Sequence, residues 1–207
     1  EKLPQLMGRL IPEQVFSEVN YHKVIYDPIM KVIKPYDKNK VLEHHFLNSR
    51  GAIARFDRGA IEIRVIDIQE CPAADVAICA IINALLKALV DEKYASLDEQ
   101  KSWHEDDLRT LFDAVIRDGS ETKINNVQYL KAFGINQSEM SVRDLWKSLF
   151  NGLKKQLKPE YCAPIEHILK EGNLSERILK HTGKSPQKEV IVKTFKELAI
   201  CLQENRQ

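Results

Sequence analysis

The chain has 207 residues, of which 43% are hydrophobic and 29% charged, and its formal net charge is +1. This composition is typical of a soluble globular protein, and the charge gives no reason to expect a nucleic-acid or membrane partner. The four cysteines include no CxxC pair, which argues against a zinc site or a disulfide framework. No apolar run reaches the roughly 18 residues that span a bilayer. We therefore expect reduced thiols and a cytoplasmic protein.

Residues 1–40 are predicted to be a helical lead-in. Pro12 is expected to open a helix, because proline is favoured in a first turn. Apolar residues then recur at helical spacing over residues 15–33, and Pro28 should break or bend this run. The following segment, residues 41–47 (VLEHHFL), is either a strand or a short helix.

Residues 41–95 are predicted to contain a sheet portion and a central buried helix. The run IEIRVIDI, residues 61–68, is rich in β-branched residues, which favour strands. It follows a shorter extended segment, residues 52–57, and glycine suits the tight turn between them. We therefore predict a hairpin with Arg58-Gly59 as a two-residue loop.

In that register Arg55 faces Glu62, and the period of two places Arg64 on the same face. The opposite face is apolar and expected to be buried; it consists of Ile61, Ile63 and Val65. Guanidinium groups suit phosphate or carboxylate, and a carboxylate suits Mg²⁺, so the charged face is a candidate site floor. A cross-strand Arg–Glu pair is also common as a plain surface salt bridge, and both interpretations stay open.

A long helix is predicted from about Pro72 to Tyr94. Its run VAICAIINALLKALV is apolar nearly all round, which predicts a central, buried helix. Residues 96–207 are predicted to be mostly helical and to pack with the preceding part as one domain. Within this region, N-cap, proline and glycine signals bound four helices near 141–157, 159–172, 175–183 and 186–202.

The hairpin carries a family resemblance. Residues 62–67, EIRVID, followed by a long apolar helix, resemble the E-[IV]-R-x-x-D segment of the glutamate–cysteine ligase family of the carboxylate–amine ligase type. Residues 165–179, IEHILKEGNLSERIL, are similar to that family's C-terminal helix–turn–helix. The resemblance covers the chain from about Tyr21 onward. It implies an α+β fold: the antiparallel hairpin as part of a glutamine-synthetase-like sheet, followed by a mostly helical C-terminal region.

The resemblance also implies a chemistry. Ligases of this type phosphorylate a carboxylate with ATP, and an amine then displaces phosphate from the acyl phosphate. Glutamate and an amine such as cysteine are the implied substrates, in glutathione biosynthesis, with ATP and Mg²⁺ as cofactors. Carried to this chain, Glu62 would ligate Mg²⁺ and Arg64 would act on the γ-phosphoryl group as the catalytic residue. Arg55 and Arg50 are further candidates for cofactor binding and Asn48 for substrate binding, with a structural role equally open for each.

Members of the family are usually about twice this length, and nothing in residues 1–40 resembles their N-terminal half. We therefore expect the chain to be a C-terminal portion that is inactive alone. Its partner would be the missing N-terminal half, and an exposed sheet edge would favour homo-oligomers. The alternative is a non-catalytic helical interaction module whose hairpin only packs or dimerises.

Overall fold

Helices dominate the described chain, and its strands form two small antiparallel sheets, which gives an α+β fold as predicted. The computed structural model describes residues 4–207, with side chains from residue 6 onward. The helices are α1 (Pro4–Met7), α2 (Glu18–Tyr21), α3 (Asp27–Ile33), α4 (His44–Leu47), α5 (Pro72–Val90), α6 (Leu97–Lys101), α7 (Glu105–Asp118), α8 (Val127–Lys131), α9 (Val142–Leu153), α10 (Pro159–Glu171), α11 (Leu174–Thr182) and α12 (Lys188–Glu204). The strands are β1 (Ala52–Arg55), β2 (Ala60–Ile63), β3 (Lys123–Ile124) and β4 (Met140–Ser141).

The structure consists of two compact units. The first comprises Glu1–Asp67 and Trp103–Phe112, and the second Ile68–Ser102 and Asp113–Gln207. The candidate site residues all belong to the first unit. The predicted regions, residues 1–40, 41–95 and 96–207, have limits that differ from those of the two units. The predicted division of the chain therefore stays a prediction.

The helix that was predicted to open at Pro12 begins later in the chain. Pro12 lies outside any helix, so the expected helix start there is wrong. After α1, the next helix is α2, which begins after Ser17; the Ser17 hydroxyl accepts a hydrogen bond from the backbone N–H of Asn20 at 3.3 Å and so caps α2. The first N–H groups of a helix lack intrahelical partners, and a serine hydroxyl can accept a hydrogen bond from one of them. The side chain of Pro12 has no acceptor atom and cannot cap a helix in this way.

Pro28 was predicted to break or bend the helical run, and a π-helical turn lies between α2 and α3, just before this proline. This turn spans His22–Tyr26, and the backbone N–H of Asp27 bonds to the carbonyl of His22, five residues back. Proline offers no backbone N–H and crowds the preceding turn, so the wider turn just before it relieves that conflict. The buried side chains of this segment form the core of the unit: Tyr21, Ile25, Tyr26 and Ile29.

The hairpin β1–β2 has a different register from the predicted one. Arg55 pairs with Ala60 and Ile53 with Glu62, so four residues rather than two connect the strands. The connection is a 3₁₀ turn over Phe56–Arg58, closed by Gly59 in the left-handed region at φ 57°. A shift of two residues leaves every side chain on its predicted face.

The apolar face of β2 was expected to be buried, and this expectation is wrong. Ile61 is 63% exposed and Val65 is also exposed. The buried side chains of the hairpin are instead Ile53 and Arg55 on β1. A pattern of alternation predicts which residues share a face, whereas burial depends on what other elements cover that face.

The second unit is built on α5, which packs against α9 and α10. One stripe of α5 is buried, at Ala74, Ala77, Ile81, Ala84 and Ala88. The prediction of burial all round is wrong, because Val76, Leu86 and Val90 are exposed. By length and composition alone α5 is able to span a membrane, contrary to expectation, although core helices of soluble proteins meet the same criterion. The four predicted C-terminal helices are confirmed as α9 to α12.

A buried ion pair ties the start of the second unit to α11. The side chain of Glu70 is 1% exposed and accepts a hydrogen bond from Arg177 at 2.8 Å. Burial raises the pKa of Glu70, but the hydrogen bond and charge of Arg177, together with a backbone hydrogen bond and one from Gln207, leave the pKa below its ordinary value.

This pair predicts how the stability of the unit depends on pH. An unfolded glutamate has a pKa of about 4.3, so Glu70 stabilises the fold above about that pH, and the contribution is lost as the pH falls through the lower folded value. We expect Glu70→Gln to lose less of its stability between pH 7 and acidic pH than the wild type, as measured by urea unfolding. Glu189→Gln, at an exposed position on α12, should keep the wild-type dependence. Equal pH dependence in Glu70→Gln and wild type would contradict this prediction.

Candidate functional site

Three charged side chains converge on one face of the hairpin. Arg55 Nη1 donates to Glu62 Oε2 at 2.8 Å, and Arg64 Nε donates to Glu62 Oε1 at 2.9 Å. The prediction that these three residues share a face is therefore confirmed. The glutamate lies between two guanidinium groups, and each of its oxygens accepts a charge-assisted hydrogen bond.

Arg55 is held in place by two carboxylates. Its side chain is buried, and Nε and Nη2 donate to the two oxygens of Asp57 at 3.0 and 2.9 Å. The hydrogen bonds that Arg55 donates to Asp57 and Glu62 raise the pKa of Arg55, and in return Arg55 lowers the pKa of Asp57 to about 2. This bidentate pair spans the 3₁₀ turn and fixes its shape.

Glu62 was predicted to ligate magnesium. Its hydrogen bond with Arg55 holds its pKa below the ordinary value, with a further contribution from Arg64, so the carboxylate is charged at neutral pH. Among the residues that the structure describes, no three His, Cys, Asp or Glu side chains are grouped as a metal site. Hard cations need several oxygen ligands, and two guanidinium groups beside Glu62 repel a further cation. The described residues therefore do not form a magnesium site by themselves.

Arg64 is the more accessible of the two arginines in this group. Besides Glu62, it donates from Nη1 to the carbonyl of Asn48 at 2.6 Å and from Nη2 to the carbonyl of His45 at 2.9 Å. A guanidinium has five N–H groups, so two remain after these three bonds to described residues. The side chain is 28% exposed, which lets those N–H groups reach an anion in solution.

Arg50 and Asn48 occupy buried positions behind the hairpin. Arg50 donates from Nε and Nη2 to the two oxygens of Glu13, each at 2.5 Å, and from Nη1 to Asn48 Oδ1 at 3.1 Å. Asn48 is fully buried, and its amide also donates to the hydroxyl of Tyr21 at 3.4 Å. The structure therefore gives both side chains internal partners, and their predicted roles in cofactor and substrate binding stay predictions.

Gly51 follows these two residues in the chain. Its close neighbours in the structure are backbone groups of Leu10 and Arg64. Its N–H donates to the carbonyl of Leu10 at 2.8 Å, and its own carbonyl accepts from the N–H of Arg64 at 2.7 Å. A Cβ atom at Gly51 would lie 2.8 Å from the Leu10 oxygen. The glycine thus joins the lead-in to the hairpin.

Two tyrosines of the core fix the position of β1. The hydroxyl of Tyr26 donates to the carbonyl of Ala54 at 2.5 Å, and the N–H of Ala54 donates to the hydroxyl of Tyr21 at 3.2 Å. Burial raises the pKa of Tyr26 to about 12. Tyr21, Tyr26 and Glu13 were missed from the sequence, because nothing in their spacing marks them as partners of a strand some 30 residues away.

The Tyr26 contact gives a prediction for stability. We expect Tyr26→Phe to lower the free energy of unfolding by about 1 kcal/mol, because it leaves the Ala54 carbonyl without its hydroxyl donor. Urea unfolding measures the loss, and Tyr36→Phe, at a position 80% exposed, serves as the control. In a titration of tyrosine absorbance, Tyr26→Phe should lose an ionisation near pH 12 that the wild type shows. Persistence of that ionisation would contradict the assignment.

Comparison with known proteins places the chain in a family. The model of glutamate-cysteine ligase family 2 matches residues 1–197. An uncharacterized protein of Archaeoglobus fulgidus is 27% identical over 211 residues, which cover 99% of this chain and 48% of that relative. The chain thus spans about half the length of the relative it matches. No solved structure matches it significantly. The family match covers almost the whole sequence, and the chain therefore belongs to glutamate-cysteine ligase family 2.

Proposed function

We propose that the chain is the C-terminal portion of an ATP-dependent carboxylate–amine ligase. Family membership supports a ligase, and the group of Arg55, Glu62 and Arg64 supports a site for phosphoryl chemistry on the hairpin. The observation that carries the proposal is the position of Arg64. It is a partly exposed guanidinium, fixed by three hydrogen bonds, with N–H groups left for an anion.

The proposed reaction has two steps. An oxygen of the substrate carboxylate attacks the γ-phosphorus of ATP, which releases ADP and forms an acyl phosphate. The amine then attacks the acyl carbon, and phosphate leaves with that carboxylate oxygen, which gives an amide. Negative charge on the transferred phosphoryl oxygens grows in both transition states, and a fixed guanidinium offsets it without reorganisation. We assign this role to Arg64.

Glu62 serves as a positioning residue in this proposal. One of its oxygens accepts a hydrogen bond from Arg55 and the other from Arg64, and these two bonds fix the orientations of both guanidinium groups. The magnesium that the family implies would take most of its ligands from outside the described residues. No step of the proposal depends on a metal held by this chain.

Glutamate and an amine such as cysteine are the proposed substrates, because the family is named for glutamate–cysteine ligation. A place in glutathione biosynthesis and a cytoplasmic location follow from the same proposal. We further propose that the remaining half of a protein as long as the Archaeoglobus relative supplies much of the nucleotide pocket and further metal ligands, and that the chain alone is inactive.

A second candidate is a structural hairpin in an interaction module. The ion pairs within the hairpin favour it, since each of Arg55, Asp57, Glu62 and Arg64 has an ion-pair partner among the other three. The two candidates differ in what happens when Arg64 is removed. A structural hairpin loses stability, whereas a ligase loses turnover in a protein that stays folded.

The experiment uses the full-length protein that contains this chain. ADP release is measured with ATP, magnesium and glutamate, with cysteine and a panel of other amines. The proposal expects ADP release that requires both a carboxylate substrate and an amine. Release that is independent of both, or none with any amine, would contradict it.

A further inference from the structure

One side of α5 presents a mostly apolar row of side chains to solvent. Residues that are alternately three and four positions apart share one side of an α-helix. On α5 this spacing joins five exposed residues, which we call the outer stripe: Val76, Cys79, Asn83, Leu86 and Val90. Val76 is 49% exposed and Val90 is 76% exposed. With a helical rise of about 1.5 Å per residue, the outer stripe is about 21 Å long.

The opposite side of α5 is already packed within the second unit. Ala77 and Ile81 form a buried cluster with Phe150 of α9 and Ile165 of α10, and Leu153 of α9 packs on the later turns of α5. These contacts hold the helix in place. The outer stripe is therefore a fixed surface, and little entropy is lost when another element packs on it.

The composition of α5 does not suit a helix with one side in water. Surface helices carry charged and polar side chains on the side that faces solvent. The 19 residues of α5 include two charged side chains, Asp75 and Lys87. Asp75 lies in the first turn, where it accepts a hydrogen bond from the backbone N–H of Gln69 at 2.8 Å. A helix that is apolar on both sides is typical of an element with packed layers on both sides.

A groove of about 250 Å³ borders the outer stripe. Asn83 and Lys87 line it from α5, and Gln156, Lys158 and Tyr161 line it from the segment that leads into α10. The described residues that line this groove include two lysines and no carboxylate. The surface thus has an apolar centre and a polar, cationic border, which is the usual layout of a protein interface.

We propose that the outer stripe is the surface on which the remaining half of the full-length protein packs, through an apolar element with acidic side chains towards Lys87 and Lys158. This inference rests on the proposed function, in which the chain is one portion of a longer ligase. The aligned region is 48% of the Archaeoglobus relative, so a protein of that length has about as much chain again to cover this surface. A covered Asn83 also requires a hydrogen-bonding partner from that half.

A second copy of the chain fits the outer stripe less well. A stable interface between separate proteins takes about 20–30 residues from each partner, and the outer stripe has five. Asp75 would meet Ala80 in a parallel pair of α5 helices and Asp91 in an antiparallel pair centred on Asn83, so it gains no opposite charge in either. A half of the same chain needs less area, because the covalent link spares most of the entropy of association.

A lipid bilayer also fits less well than a protein layer. By length and composition α5 is able to span a membrane. To do so it would have to give up its contacts with Phe150, Leu153 and Ile165, which bury its other side. The outer stripe therefore favours a protein occupant.

Cys79 supplies the first test, because its thiol lies within the outer stripe. The native full-length protein is treated with N-ethylmaleimide, and the modified cysteines are identified by peptide mass spectrometry. We expect Cys79 to react about 100-fold more slowly in the native protein than in concentrated urea. Ser185→Cys places a thiol in the exposed loop between α11 and α12 and should react equally fast in both conditions.

Photocrosslinking identifies the occupant. The residue p-benzoylphenylalanine replaces Val90 in the full-length protein, which is then irradiated and digested. We expect a crosslink to a peptide outside these 207 residues, in a product that keeps the mass of one chain on a denaturing gel. The same residue in place of Ser185 should give no such crosslink.

The other outcomes overturn the inference in distinguishable ways. Rapid labelling of Cys79 in the native protein, or crosslinks confined to these 207 residues, shows that the remaining half does not cover the stripe. A product of doubled mass assigns the stripe to a second copy, and protection that requires phosphatidylglycerol vesicles assigns it to a membrane. The ligase proposal is judged separately by ADP release. Ligase turnover with an unprotected Cys79 overturns this inference alone, and a covered stripe without ligase turnover overturns the proposed function alone.

Discussion

Arg64→Ala should lower turnover of the full-length enzyme about 10³-fold while the protein stays folded. The estimate follows from the cost of removing one fixed donor to a phosphoryl transition state. Arg64→Lys should recover only part of that loss, because an ammonium group keeps the charge but has no planar fork to contact two oxygens. The loss should appear in kcat rather than in KM for ATP, because the charge that Arg64 offsets grows during the reaction.

Two measurements accompany this result. Arg58→Ala is the matched control, since Arg58 is an arginine on the same hairpin that is 69% exposed and has only a 3.6 Å ion pair with Asp57 among the ion pairs described. It should retain turnover within a few fold. Urea unfolding checks the fold of Arg64→Ala, which also loses its bonds to the carbonyls of Asn48 and His45. Near-normal turnover in a folded Arg64→Ala would contradict its catalytic assignment.

Glu13→Ala should destabilise the first unit by about 3–5 kcal/mol. The side chain of Arg50 is 5% exposed, and Glu13 is its bidentate partner. Removal of Glu13 leaves a buried guanidinium without its counter-charge, which is one of the most costly single changes in a protein. The guanidinium of Arg50 packs so closely against Gly8 that a Cβ atom on Gly8 would overlap it. The charged group therefore has little room to move when Glu13 is removed.

A double variant tests this explanation. Glu13→Ala/Arg50→Met removes the charge together with its partner, so it should be more stable than Glu13→Ala alone, as measured by urea unfolding at neutral pH. Burial raises the pKa of Glu13, but the hydrogen bond from Arg50, a backbone hydrogen bond and the charges of Arg50 and Arg9 together leave it below the ordinary value. The wild type should therefore lose this contribution as the pH falls below about 4.3, while the double variant should not. A single variant as stable as the wild type would contradict the assignment.

The hairpin illustrates what periodicity predicts. Alternation correctly placed Arg55, Glu62 and Arg64 on one face, although the loop length was wrong, because a register shift of two residues preserves the faces. The loop itself was missed because Asp57 holds Arg55 from within the turn, and turn type depends on such side-chain contacts. Local pattern fixes orientation better than it fixes loop geometry.

Burial was predicted less well than orientation. The long apolar sequence of α5 was expected to be buried all round, yet only one stripe is covered, and Ile61 on β2 is exposed as well. Glu13 lies 37 residues from Arg50, and Tyr26 lies 28 residues from Ala54, whose carbonyl it holds, so no local pattern links these partners. Composition indicates which surfaces favour burial, but long-range packing decides what covers them.

The most direct test of the ligase proposal follows an oxygen atom. The full-length enzyme is supplied with ATP, an amine and glutamate labelled with ¹⁸O in its carboxylates, and the released phosphate is analysed by mass spectrometry. Activation through an acyl phosphate predicts that each phosphate carries one ¹⁸O atom from the carboxylate, and that Arg64→Ala releases about 10³-fold less of it. Unlabelled phosphate would show that ATP is hydrolysed by water, and would contradict the proposal that this hairpin belongs to a carboxylate–amine ligase.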